Sequence, residues 1–448
     1  MNWTFPGYQP GQALDWEDLA DRYDWIGDLK GVPQDPHCHG EGDVYTHPQW
    51  VVEALIALPE FEALDEQAQH ILVAAALLHD VEKRSTTVEE VIEGETRIVS
   101  PGHAQKGEHT ARSILYRDLP APFPIREAIA KLVRLHGLPL WAIEQDDPQK
   151  EVIYASLVVN TAHLALLARA DVLGRLCPDQ ADLLLKIDLF RTLCEENHCL
   201  GQPRTFATPY TRYWYLNKAG ATPDYVPYDD LKFAVVVLSA LPGSGKDTYL
   251  QRELSDWPVL SLDDIRRAHG IDPQDKKGNG RVIQMGKEQA RIFMRARTSF
   301  VFNATNLTRD MRSRWIDLFT EYGGRVKVVY LEVPYVQLLR QNAQRPYPVP
   351  VAVIDRLIGK LDIPDGREAH EVDWVVGWVR KRACPPGPHS PGKARRARRC
   401  FQHEIFQPEA YRKRVFFYPL SPPSAADPPF VNPNKVPPFL TFPGPQSG

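Results

Sequence analysis

Two groups of residues in this chain have the types and spacing for phosphate chemistry. The first is His79 and Asp80, adjacent in "LLHD" at the end of an apolar helical run. Neighbouring imidazole and carboxylate groups on one turn can bind one or two metal ions if other helices bring further donors. Candidate donors stand where helices are expected to begin or end: His47 in "VYTHPQW", His103 in "PGHAQKGEH", His136 in "LVRLHGLP" and Asp171 in "LARADVLGR". The second group is "ALPGSGKDT", which follows the β-branched run "FAVVVLSA". A glycine turn between a buried strand and a helix lets backbone N–H groups converge on a phosphate, with the helix dipole adding to the field. Pro242, Gly243, Ser244, Gly245, Lys246, Asp247 and Thr248 form this loop, and Lys246 can reach the outer phosphates of a nucleotide. Ala240 and Asp247 depart from the usual pattern of such loops, which have glycine and Ser or Thr at those places. Asp247 or Thr248 can each serve Mg2+, since a carboxylate is a harder ligand than a hydroxyl.

Further along, "SLDDIR" is expected at the end of a second strand. A carboxylate there, Asp263 or Asp264, can take the proton of an attacking hydroxyl, and Arg266 can hold an acceptor phosphate. "NATN", with Asn303, Thr305 and Asn306, ends a third strand, and "LLRQNAQRPYPVP" puts Arg340 and Arg345 on a helix able to close over a nucleotide.

These groups need two different scaffolds. From about 35 to 200 apolar residues recur at three and four positions, which predicts an all-helical domain. Residues 1–34 read as an N-terminal extension, and 201–230, rich in Pro, Gly and aromatics, as an ordered connector. From about 231 to 380, strand-like runs alternate with helical stretches, which predicts a parallel sheet covered by helices. Residues 381–448 are dense in proline around the basic run "KARRARR" and are expected to be disordered. The fold class is therefore multidomain, all-α followed by α/β.

A length of 448 residues exceeds one ordinary core and leaves room for two active sites. A net charge of -4 argues against a protein that coats long nucleic acid, while recognition of a nucleic-acid end stays open. With no signal-like N-terminus and no apolar run of membrane length, a cytoplasmic protein is expected. Six scattered cysteines make no disulfide framework, and "CEENHC" reads as a helix end with buried thiols in preference to a zinc site.

The loop, "SLDDIR", "NATN" and lid arginines together resemble the polynucleotide 5'-kinase domain of nucleic-acid end-healing enzymes, over about 233 to 375. Carried over, Lys246 is the loop lysine, Asp263 the general base, Arg266 the clamp on the acceptor phosphate and Arg345 a lid arginine. Asp264 remains a rival base, and Arg340 sits one position out of register with the usual second lid arginine. The resemblance implies ATP or another NTP with Mg2+.

The histidines and aspartates, in this order and on helices, resemble the HD phosphohydrolase superfamily, with its H…HD…D signature. That resemblance implies His47, His79, Asp80 and Asp171 as metal ligands, with His103 and His136 as the extra ligands of two-metal members. His109 is an alternative to His103, and His39 in "HCHGEGDV" is a candidate contact for a substrate phosphate. It implies one or two divalent ions, Mn2+, Mg2+, Ni2+, Co2+ or Zn2+, activating water against phosphorus. The order of the two domains resembles bacterial HD domain-polynucleotide kinase fusions. These imply a bifunctional enzyme acting on RNA or DNA ends that carry a 5'-hydroxyl and a 3'-phosphate or 2',3'-cyclic phosphate, with a separate ligase as a possible partner.

Overall fold

The computed structural model describes residues 3–272 and 274–377. The expected C-terminal tail, with "KARRARR", lies outside the described residues. The helical region is organised around Glu66–Leu78, whose residues from Leu72 to Leu78 are at most 2% exposed. A helix buried on all sides belongs at the centre of its domain. Around it pack Thr46–Ile56, Phe123–Leu135 and Thr161–Leu173, with His103–Arg117 against Phe123–Leu135 and with Pro148–Val158 and Gln180–Glu196 beyond. Asp65 caps the central helix by accepting from Ala68 N at 2.8 Å, and Asn160 caps Thr161–Leu173 in the same way.

Three segments have structure that the sequence expectation did not specify. The domain is not all helical: β1 (Val88–Ile92) and β2 (Glu95–Val99) form an antiparallel hairpin. Its turn is Glu93-Gly94, both with positive φ, as a two-residue hairpin loop requires. The run "VEEVIEGETRIV" has no regular apolar and polar alternation, and five-residue strands are too short to stand out between long helices. The N-terminal extension packs onto the helical domain, with Trp3, Phe5, Tyr8, Leu14 and Leu19 buried in its core. Trp3 N and O pair with the amide of Gln67, and Phe5 N donates to His70 Nδ1. In the connector, Pro209–Asn217 is a helix capped by Thr208. Its Tyr215 is fully buried in the helical core, while Arg212 donates to the carbonyls of Gly366 and His370. Cys194 and Cys199 are buried free thiols at the end of Gln180–Glu196.

The second region is a five-stranded parallel sheet made of β3 (Phe233–Ala240), β4 (Val259–Ser261), β5 (Phe300–Asn303), β6 (Gly324–Glu332) and β7 (Glu371–Val376). Its order is β4-β5-β3-β6-β7. β3 is central, and its alternate residues feed two cores: Val235 and Val237 on one face, Val236, Leu238 and Ala240 on the other. A strand covered on both faces reads as an unbroken apolar run. Its neighbours are later strands on both sides, so the crevice for a ligand opens at its C-terminal end.

A buried polar seam joins the two regions. Arg126 pairs with Glu332 through two hydrogen bonds of 2.9 and 2.7 Å, and both side chains are under 5% exposed. Tyr330 OH also donates to Glu332, and Tyr116 OH to Val333 O. Arg112 is held by Glu108 and Glu127 and donates to Leu361 O, while Tyr154 OH donates to Asp365. Among the described residues no single helix is long and apolar enough to cross a membrane.

Removing one member of a buried pair strands the other charge. Arg126→Ala is expected to lower the unfolding free energy by about 3–5 kcal/mol in urea denaturation. The double replacement Arg126→Met with Glu332→Leu is expected to lose far less, because no charge is left unpaired.

Candidate functional site

Five helices deliver the histidine and aspartate side chains to one place. His47 lies in the first turn of Thr46–Ile56, and His79 and Asp80 follow Glu66–Leu78. His103 begins its helix, His136 follows Phe123–Leu135, and Asp171 lies near the end of Thr161–Leu173. Two half-sites meet at the Asp80 carboxylate. On one side, His47 Nε2 is 3.0 Å from Asp171 Oδ1, 3.4 Å from His79 Nε2 and 3.7 Å from Asp80 Oδ2. On the other, His103 Nε2 is 3.4 Å from both His136 Nε2 and Asp80 Oδ1.

The tautomers follow from the outer contacts. Nδ1 of His79, His103 and His136 donates to the carbonyls of Ala76, Ser100 and Val133 at 2.7, 2.7 and 2.8 Å. His47 Nδ1 has no well-directed hydrogen bond, and its ion-pair contact is Glu41 Oε1 at 2.9 Å. Each ring turns Nε2 towards the others, and on His103 and His136, whose Nδ1 holds the proton, that atom carries the lone pair. Imidazole nitrogens gathered beside buried carboxylates make the donor set of a cation site. Asp80 Oδ1 is buried without a hydrogen-bond partner, which is the behaviour of an oxygen kept for a metal. His47, His79 and Asp80, and separately Asp80, His103 and His136, offer donor atoms within 4.8 Å of one another. These residues would hold one or two divalent ions, with Asp80 common to both donor groups.

The electrostatics agree with that fit. Burial by itself would raise the Asp80 carboxyl, but Lys83 and His79 outweigh it and hold it well below the usual range. Burial opposes Asp171 in the same way, and Arg175 and His47 overcome it. Burial, helped by His79, pushes His136 down to about 3, so this ring is neutral at pH 7. Burial lowers His79, but Asp80, Asp171 and the Ala76 carbonyl together outweigh it and the net is a rise; a bound cation would displace that proton.

Sequence reasoning missed three members of this site. Lys83 Nζ lies 2.8 Å from Asp80 Oδ2 and donates to Gln34 Oε1. Arg175 pairs with Asp171 at 2.5 Å. Glu41 has a fully buried side chain, with Oε1 between His39 and His47 and Oε2 accepting from Leu176 N. The positions of Lys83 and Arg175, three and four residues after the aspartates, are the spacing at which helical charges meet. Of the two remaining candidates, His109 points elsewhere, donating from Nε2 to Asp362 at 2.7 Å. His39 stands over the cluster, its ring 4.8 Å from that of His47 and Nε2 3.5 Å from Lys83 Nζ. Burial lowers it to about 4 against its Glu41 contact.

At the end of β3 the glycine loop turns into the helix Lys246–Glu253. Gly243 and Gly245 have φ of 90° and 93°, and a Cβ on Gly243 would come within 2.9 Å of Leu338 O. No other residue fits that turn against the helix Tyr335–Ala343 without strain. Ser244 Oγ donates to Leu241 O, closing the loop on itself, and Lys246 Nζ donates to Ala304 O at 3.0 Å. Burial lowers the Lys246 ammonium, Asp263 and Asp247 lift it, and Arg345 lowers it further, so these four groups share one field. Asp263 is exposed and pairs with Arg266, which is also held by Asn279. Asp264 turns to Arg267. Asp247 and Thr248 lie in the first helical turn, with Asp247 exposed. Pro242 is half-buried in the loop, and Arg340 and Arg345 are exposed at the end of Tyr335–Ala343 and just beyond it.

The "NATN" turn divides its roles differently from the sequence expectation. Asn306 is not available to a substrate: it is buried at φ 49°, and its Nδ2 donates to Leu238 O at 2.9 Å. It also accepts from Ser239 Oγ through its carbonyl, so it pins the turn to β3. Thr305 is exposed, and its carbonyl accepts from Ala240 N. Asn303, at the end of β5, has a buried Oδ1 with no hydrogen-bond partner, a polar group left for a ligand at the crevice.

Residues 235–364 match the AAA domain family. This region of the chain is a P-loop kinase-like domain. Among solved structures, a chain of a Pnkp1/Rnl/Hen1 RNA repair complex is similar at 19% identity, covering 32% of this chain and 47% of that one, with a TM-score of 0.27. A sugar kinase from a Janibacter species is similar at 17% identity over 32% of this chain and 85% of its own, with a TM-score of 0.26. A gluconokinase from Sinorhizobium meliloti 1021 is similar at 15% identity over 34% and 86%, also with a TM-score of 0.26. Likenesses this remote leave the phosphate acceptor open.

Asp80→Asn is expected to abolish tight binding of divalent metal, read by calorimetric titration of metal-stripped protein with Mn2+. Glu41→Gln, which removes the charge behind His47, is expected to weaken it about 10–100-fold without unfolding the protein.

Proposed function

We propose that the chain is a bifunctional nucleic-acid end-healing enzyme. Its P-loop domain transfers the γ-phosphoryl group of ATP, with Mg2+, to a 5'-hydroxyl. Its helical domain is a phosphohydrolase of the HD type that removes a 3'-phosphate or opens and removes a 2',3'-cyclic phosphate. The observation that carries this reading is the convergence of four imidazole Nε2 atoms on the Asp80 carboxylate, in the same chain as a loop lysine that shares its field with Asp263. Ends with a 5'-hydroxyl and a blocked 3' position need both reactions before a ligase can join them.

In the kinase site, Lys246 neutralises the outer phosphates, and Asp263 takes the proton of the acceptor hydroxyl. Arg266, three residues on and steadied by Asn279, holds the phosphate that follows the acceptor nucleoside. Arg345 adds a cation from the lid side. A polynucleotide acceptor is favoured by the helix Lys276–Arg295, which contacts Arg266 through Asn279. Lys276, Lys277, Arg281, Lys287, Arg291 and Arg295 on it face a single acid, Glu288, in a chain whose net charge is -4. Among the described residues only Arg291 of these six is in an ion pair. Unpaired cations along one helix suit a phosphodiester backbone.

In the helical domain, His47, His79, Asp80, His103, His136 and Asp171 would hold one or two divalent ions. Those ions supply an acidified water and a sink for charge on phosphate oxygens. Lys83 and His39 stand at the open side of the cluster, where they orient the phosphate. Arg175 and Glu41 fix Asp171 and His47 in place.

The test incubates the protein with ATP, a divalent metal and an oligonucleotide carrying a 5'-hydroxyl and a 3'-phosphate. Asp263→Ala is expected to reduce 5'-phosphorylation by about 10²–10⁴-fold, and Lys246→Ala to abolish it, with 3'-dephosphorylation unchanged in both. Asp80→Ala is expected to abolish only 3'-dephosphorylation. Loss of both activities in a folded Asp80→Ala protein would sink the two-site account. Asp247→Ser is expected to retain the kinase with an altered metal preference; complete loss would give the carboxylate an essential role.

A further inference from the structure

Beside the metal cluster lies a cleft of about 310 Å³, at the lower end of the range for small-ligand sites. Its inner end carries Lys83, His39 and His103. One wall is the hairpin of β1 and β2. The pairing Val88↔Val99, Glu90↔Arg97 and Ile92↔Glu95 puts Ile92, Arg97 and Val99 on one face of that hairpin, and all three line the cleft. Ile92 is 44% exposed there, an apolar side chain facing solvent at the mouth of a site whose inner end is cationic and metal-binding in character. Arg97 reaches across to pair with Asp35, which ties the hairpin to the loop that carries His39. An apolar wall leading to a phosphate-binding end has the polarity of a nucleotide, with base and sugar outward and phosphate inward.

We propose that this cleft is a subsite for the terminal nucleoside of the strand whose 3'-phosphate is removed, with Ile92 and Val99 packing against it and Arg97 at its polar edge. The inference rests on the phosphohydrolase reading and names the part of the substrate that the metal cluster does not hold. It gives the hairpin, which carries none of the metal ligands, a role in choosing nucleic-acid ends over other phosphate esters.

Binding separates the two ideas. Protein loaded with Mn2+ is titrated calorimetrically with adenosine 3'-monophosphate and, separately, with inorganic phosphate. The nucleotide is expected to bind at least about tenfold more tightly, roughly 1.4 kcal/mol. Ile92→Glu, at an exposed strand position, is expected to erase that difference while leaving inorganic phosphate binding unchanged. In turnover of a 3'-phosphorylated oligonucleotide it is expected to raise KM and spare kcat. Equal affinity for the two probes in the unsubstituted protein, or a parallel loss of both in folded Ile92→Glu, overturns the subsite. A nucleotide preference that Ile92→Glu erases, in a protein that hydrolyses no 3'-phosphate, keeps the subsite and overturns the phosphohydrolase reading instead.

Discussion

Asp80 is a carboxylate that folding removes almost completely from water, and the helical half of the chain is arranged around the consequences. An isolated buried carboxylate would take up a proton, because desolvation penalises the charged form. Here Lys83 and His79 keep it ionised, and its two oxygens face different partners: Oδ2 turns to His47, His79 and Lys83, Oδ1 to His103 and His136. The outer contacts serve the same end. Three ring nitrogens are tied to carbonyls at or just beyond helix ends and a fourth faces a buried glutamate, so all four rings turn Nε2 inward. The helices that carry His103 and His136 also carry Tyr116, Arg112 and Arg126, which bind the kinase-like domain. One half of the candidate metal site and the domain seam are therefore built on the same two rods.

The phosphate loop shows how a departure from a sequence pattern can be tolerated. The backbone requirements are met in full, since Gly243 and Gly245 take left-handed conformations and Lys246 is directed by its bond to Ala304. Asp247, at the first helical turn, is exposed and contributes to the field on Lys246. A carboxylate near a helix N-terminus is favoured by the dipole, so this substitution is compatible with the local fold whatever its role towards a metal.

Much of this arrangement was legible from local pattern. The helical period, the alternation of strands and helices and the glycine loop each depend on residues within a few positions of one another. The features that escaped depend on distant ones. Glu41 acquires its role only when the loop 35–43 packs against the helix of Asp171, and residues 3–29 become core only once Gln67 and His70 are there to receive Trp3 and Phe5. Asn306 looked like a substrate contact because it is polar and follows a strand. Its positive φ and its bond to Leu238 make it a backbone clamp.

The residues in order determined which donors exist and which periodic elements carry them, because side-chain chemistry and local backbone preference are properties of neighbours along the chain. They left the choice between His103 and His109 undecided. Six positions on a helix are roughly 240° of rotation, so the two rings leave the same helix in different directions and cannot both meet Asp80. Packing settles which way the helix is turned. Arg112 and Tyr116 commit one side of it to the kinase-like domain, His109 goes with them to Asp362, and His103 is left facing the cluster.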